Sequence, residues 1–180
     1  MKNLVYILIL LFTISACNKE KKTTNHTTKA IVLEVEYINF AWGFQHTSSL
    51  IDTNGVIHSY NNTNYDNKSW VFPDSLGYIS ETDLQHNYNL TNLASETINL
   101  DTIKQAVTLI SGVETNNLSI KTNVGADMGE TNYYAYIFDE TANKYKKLFL
   151  AKCGDTYQLN NNANAQSILH LVWKNRSYCF

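Results

Sequence analysis

Proline occurs once in 180 residues, at Pro73, and glycine only seven times. So few chain breakers exclude a collagen-like repeat, a proline-rich stalk or a low-complexity linker, all of which need those residues in quantity. Charge is scarce as well: Asp, Glu, Lys and Arg make up 17% of the chain, with a formal net charge of −2. Without a basic excess there is no electrostatic footprint for nucleic acid, whose phosphates are met by clustered Lys and Arg. Several catalytic signatures are missing. There is no His-Glu-x-x-His or His-x-His arrangement for a metal, no Gly-x-Ser-x-Gly elbow for a nucleophile, and no glycine-rich phosphate loop. No internal repeat of fixed period is visible, so solenoids and propellers are set aside.

What is present begins with the N-terminus. Met1-Lys2-Asn3 is a short basic start, Leu4 to Ile14 is an apolar run of 11 residues, and Ser15-Ala16-Cys17 supplies small residues before a cysteine. An apolar run this short falls well below the roughly 20 residues of a membrane span. The pattern is that of a secretory leader with its cleavage site. The polar stretch Asn18-Lys19-Glu20-Lys21-Lys22 then ends the apolar character at Cys17. Ile14-Ser15-Ala16-Cys17 resembles the lipobox of bacterial lipoproteins, over residues 1–17 only. The resemblance implies cleavage before Cys17, acylation of its sulfur (a palmitate-type modification) and anchorage in a bacterial membrane. Asn18 is not the Asp that marks inner-membrane retention in some bacteria, so the outer membrane is the expected address, on its periplasmic or surface face. Two or more acyl chains make such an anchor stable, at about 0.8 kcal/mol per buried CH₂.

The expected organisation is a leader at 1–16, a lipidated Cys17 with a disordered tether to residue 29, and one globular domain over 30–180. Residues 18–29 hold no apolar side chain and cannot bury anything. Removal of the leader leaves 164 residues, enough for one sizeable core, and loss of Lys2 takes the formal charge from −2 to −3. Polarity is carried by uncharged side chains; Asn alone occurs 23 times, an enrichment that carries no binding code. With Cys17 acylated, Cys153 and Cys179 remain. An even pair in an oxidising compartment suggests one disulfide closing a loop of about 27 residues. The alternatives are two free thiols, or a metal site on Cys153, His170 and Cys179 whose spacing matches no zinc pattern.

Patterning predicts an α+β domain: an antiparallel sheet of five to six strands with two or three helices on one face. Residues 30–40 alternate, with Glu34 and Glu36 on one side, and predict a strand with a wet face and a buried face. Asn54-Gly55 between apolar runs predicts a hairpin of residues 48–51 and 56–60. Trp70 to Phe72 suggests a short strand before Pro73. Ser80 predicts a helix N-cap. Leu100, Ile103, Ala106, Val107 and Ile110 share a helical face, with Asn99 as cap and Gly112 as stop. Residues 133–139 and 145–151 predict a second hairpin. A last helix over 162–174 turns Ala165, Ile168, Leu169 and Val172 inward.

Candidate sites are few. His46 and His58 flank the first hairpin and would converge with Asp52, although Asp in a turn commonly bonds local backbone. Gly125 to Glu130 holds two carboxylates but lacks the alternating ligands of a calcium loop. Neither metal nor cofactor is expected. Aromatics are the unusual resource: 12 Tyr, seven Phe and three Trp. Trp42, Tyr134, Tyr136 and Phe138 form the candidate binding surface if exposed, and part of the core if covered. The expected function is a non-catalytic envelope module that meets a protein or glycan at the membrane surface. A cell-envelope hydrolase with scattered active-site residues is the alternative.

Overall fold

The computed structural model describes residues 31–41, 43–62 and 70–173. The leader, Cys17, the tether, Trp42 and Cys179 lie outside the described residues.

Strand β1 (Ile31–Asn39) is followed by β2 (Gln45–Asp52), β3 (Val56–Asn62), β4 (Tyr78–Ile79) and helix α1 (Glu81–Asn89). Then come β5 (Asn92–Thr97), α2 (Leu100–Ile110), β6 (Thr122–Asn123), β7 (Glu130–Asp139), β8 (Lys144–Gly154), β9 (Thr156–Leu159) and α3 (Ala163–Trp173). The strands form one sheet in the order β5-β3-β2-β1-β7-β8-β9-β6, with β4 also on β8. The pairings are antiparallel.

Local chemistry explains the elements. The β2–β3 turn closes through Gly55, at φ +79, while Asp52 Oδ1 accepts from the backbone N–H groups of Asn54 (2.8 Å) and Val56 (3.0 Å). Gly55 is required there, because a Cβ would lie 2.2 Å from the Ile98 carbonyl oxygen. Ser80 caps α1 by accepting from the Asp83 N–H at 3.0 Å, and Asn99 caps α2 by accepting from Asp101 at 2.8 Å.

Strand alternation divides the sheet into two unlike faces. On one, Leu33, Ile51, Ile57, Tyr133, Ala135, Leu148 and Leu150 pack under α2 and α3 through Ile103, Ala106, Ile110, Ala165, Ile168 and Trp173. On the other, Ile31, Leu50, Tyr136 and Tyr145 pack against Trp70, Ile79 and Leu84, the last from α1. β1 lies in the middle of this doubly covered sheet.

Three expectations are corrected here. The sheet has nine strands rather than five to six, because β4, β5, β6 and β9 are two to six residues long and show no alternation that would reveal them. Trp70 to Phe72 is not a strand; Trp70 instead inserts its ring into the second core. The helices are not on one face, since α1 packs opposite α2 and α3 and so covers the side of β1 expected to be wet. Within α2, Leu100 and Val107 remain exposed flanks of a face whose centre is Ile103, Ala106 and Ile110.

Candidate functional site

Glu34 and Glu36 point to the α1-covered face and are buried, Glu34 completely. Isolated charges at that depth would be prohibitively desolvated, so they must be paired and hydrogen-bonded. Lys147 does this from β8. Its Nζ lies over the ring of Tyr134 on β7, 3.9 Å from the ring centroid, and reaches Glu34 Oε2 at 2.8 Å and Glu36 Oε2 at 3.5 Å. Ser48 Oγ donates to Glu34 Oε1 at 2.7 Å, and the Tyr136 hydroxyl donates to Glu34 Oε2 at 2.5 Å. From β2, His46 Nε2 lies 3.2 Å from Glu36 Oε1.

The electrostatics follow from this geometry. Burial alone would raise the Glu36 pKa, but the hydrogen bond from His46 and the charge of Lys147 outweigh it, so the carboxyl titrates below its ordinary value. Tyr134 and Tyr136 move the opposite way. Burial, reinforced by the neighbouring glutamates, raises both phenols well above the usual range, so they stay neutral donors. An ionised Glu36 carboxylate only accepts hydrogen bonds, so His46 Nε2 carries the proton between them.

His46 itself is fully buried inside aromatic rings: Trp70 at 5.1 Å between centroids, Phe72 at 5.3 Å, Tyr60 at 5.4 Å and Phe44 at 6.1 Å. Its second nitrogen, Nδ1, has no hydrogen-bond partner among the described residues. A buried polar atom left so costs on the order of 1–3 kcal/mol.

The aromatic group continues to the surface. Phe40 packs against Phe44 at 5.1 Å and is 73% exposed, and Phe72 is 40% exposed. Val124 is 64% and Met128 57% exposed. The sheet register puts Phe40 and Met128 at one end, where Phe72 is placed by its ring contact with His46 and Val124 by its N–H donating to the Asp155 carbonyl at 2.9 Å. Asn39 pairs with Gln45, Ile38 with Glu130, and Glu130 with Gly154. The Met128 turn is fastened there: its N–H donates to Asp155 Oδ1 (2.9 Å), its carbonyl accepts from the Tyr37 hydroxyl (3.1 Å), and the Asp127 carbonyl accepts from Asn39 Nδ2 (3.4 Å). Gly129 permits this approach, since a Cβ there would lie 2.8 Å from Ile38 O and Tyr37 OH. Ile31 sits at the opposite end of β1, about 27 Å away at roughly 3.4 Å per residue.

The expected site residues are distributed as follows. Tyr134, Tyr136 and Phe138 do share a strand face, but Tyr136 is buried, Tyr134 is half-buried under Lys147, and Phe138 packs on Tyr145 at 5.2 Å. Trp42 is outside the described residues. His58 and Asp52 do meet, at 3.9 Å, and His58 Nε2 also contacts the Tyr88 hydroxyl at 3.1 Å. His46 stands six residues from Asp52 along β2, about 20 Å away, and is not part of that group. Glu130 is held by Lys152 (2.9 Å) and Thr156 (2.6 Å) rather than by its own loop. Among the described residues, no three His, Cys, Asp or Glu side chains converge as metal ligands, and no helix is long and apolar enough to cross a membrane.

Sequence reasoning missed Lys147, Ser48 and the pairing of His46 with Glu36. The available clue was Glu-x-Glu inside a β-branched run with a lysine pair, Lys146-Lys147, in a later strand. No family model, curated protein or solved structure matches this chain.

Proposed function

We propose that the chain is a lipid-anchored envelope module that binds a partner through the apolar rim formed by Phe40, Phe72, Val124 and Met128. The exposure of these four side chains at the end of the sheet remote from Ile31 carries this reading. With the anchor at Cys17 the chain would join the domain at Ile31, at the end of β1 away from the rim, so the attachment would not cover the rim. Aromatic residues and Met are the side chains enriched at recognition surfaces. The burial of Glu34, Glu36 and Lys147 supports binding over hydrolysis: a general acid or base must reach its substrate, and these groups are occupied with each other.

The Cys153–Cys179 disulfide belongs to the same proposal. Trp173, at the end of α3, packs edge-on against Tyr133 at 5.0 Å. Tyr133 pairs with Ala151, two residues before Cys153, and Cys153 packs against the α2/α3 side. Six further residues span at most about 20 Å, so Cys179 is within reach.

Two measurements test the reading. Radiolabelled palmitate should enter the wild-type protein and not Cys17→Ala; incorporation into both would remove the anchor. A photo-crosslinking amino acid at position 128 should capture an envelope component in cells, whereas one at exposed Thr108 should not. Equal capture at both positions would remove the rim.

A further inference from the structure

We propose that the aromatic cluster around His46 is a subsite for a saccharide ring, stacked on Phe40, Phe44 and Phe72 and hydrogen-bonded through one hydroxyl to His46 Nδ1. The inference rests on the distal rim being the binding surface and names the chemistry of its ligand.

Two independent observations converge on this place. The first is the graded set of rings from the surface inward: Phe40 exposed, Phe44 half-buried against it, and Phe72 beside His46 with part of its ring in solvent. Phenylalanine rings offer a flat apolar face and no hydrogen-bond group, so they suit the C–H face of a sugar. The second is the His46 nitrogen that has no partner among the described residues. Because Nε2 is committed to Glu36, Nδ1 is the ring nitrogen left to hydrogen-bond inside a largely aromatic enclosure. A sugar has both required surfaces, an apolar face to stack and a hydroxyl edge that can donate to or accept from the ring nitrogen. An aliphatic peptide side chain would cover the rings and leave Nδ1 unpaired.

Access requires movement of one side chain. His46 is wholly enclosed, and of the rings packed on it Phe72, at 40%, is more exposed than the half-buried Phe44 and Tyr60. Phe72 stands outside regular secondary structure, next to Val71, which is fastened by Asn87 in both directions: Val71 N–H donates to Oδ1 at 2.8 Å and Nδ2 donates to Val71 O at 2.7 Å. The backbone is thereby held, so entry requires the partly exposed Phe72 side chain to turn aside while the main chain stays in place.

The experiment uses the purified full chain in detergent, with ¹⁵N-labelled histidine, titrated with chitopentaose, maltopentaose and cellopentaose to millimolar concentration. At least one saccharide should bind saturably and move the His46 Nδ1 resonance, leaving that of exposed His170 unchanged. Phe40→Ala and Phe72→Ala should each weaken that binding by about tenfold, as loss of one stacking ring predicts. Absence of binding by all three, binding without a His46 shift, or unchanged affinity in both variants would overturn the subsite. If position 128 still crosslinks an envelope protein in cells, and Phe40→Ala abolishes it, the saccharide assignment falls and the rim survives. If neither saccharides nor crosslinks are found, both fall.

Discussion

The two faces of the sheet are buried by different means. Under α2 and α3 the contacts are aliphatic and aromatic side chains closing on one another, where stability comes from removing apolar surface from water. Under α1 and Trp70, two glutamates, a lysine, a histidine, a serine and a tyrosine are sealed in with aromatic rings around them. The first kind of packing tolerates loss of one group by partial collapse. The second depends on each member for the charge balance of the others, so its failures are larger and not additive.

The largest expected effect breaks the polar face. Lys147→Met leaves Glu34 and Glu36 as adjacent buried carboxylates and should cost about 3–5 kcal/mol in urea unfolding. Adding Glu34→Gln and Glu36→Gln to that variant should recover part of the loss. Additive losses in the triple variant would show that the three groups do not act as a unit.

On the aliphatic face, Ile103→Ala should cost about 2–5 kcal/mol through transfer and cavity terms. Its effect should add to that of Lys147→Met within roughly 0.5 kcal/mol, because the two lie on opposite sides of the sheet. A large coupling would mean the faces are not independent.

The pH dependence sharpens the contrast. Glu36 has a depressed folded pKa, so the stability it contributes is present above its unfolded value, near 4.5, and is lost as pH falls through the folded value. Tyr134 and Tyr136 have raised folded pKa values, so their contribution is intact below about 10 and is lost as pH rises beyond it. Urea midpoints measured against pH should fall on both sides. Glu36→Gln should flatten the acid limb, and an unchanged acid limb would contradict the pairing with His46 and Lys147.

The smallest stability effect belongs to the rim. Phe40→Ser removes a ring that is already mostly in solvent and should shift stability by no more than about 0.5 kcal/mol. A loss of several kcal/mol would show that this ring supports the fold instead of standing ready for a partner.

Much of the scaffold was legible beforehand. The Asn54-Gly55 turn, the Ser80 and Asn99 caps, the hairpin of β7 and β8, and the inward Ala165, Ile168, Leu169 and Val172 all depend on chemistry within a few residues of each other. β5 and β9 were not legible, because Asn-Leu-Ala-Ser-Glu-Thr and Thr-Tyr-Gln-Leu are recruited by the neighbours they pair with rather than by their own pattern. The glutamate face was misjudged for a related reason. Glu-x-Glu along a strand says only that both carboxylates share a side; it does not say whether that side meets water.

Sequence by itself thus determined the turns, the caps, the helical stripes and the two-residue alternation of β1, since each is a matter of backbone conformation or local spacing. Tertiary structure decided that Glu34 and Glu36 are buried, that Lys147 answers them from 111 residues beyond Glu36, and that His46 is walled in by rings from three segments. Those outcomes depend on which distant strands and loops come to cover a given face, and coverage depends on the packing of the whole chain.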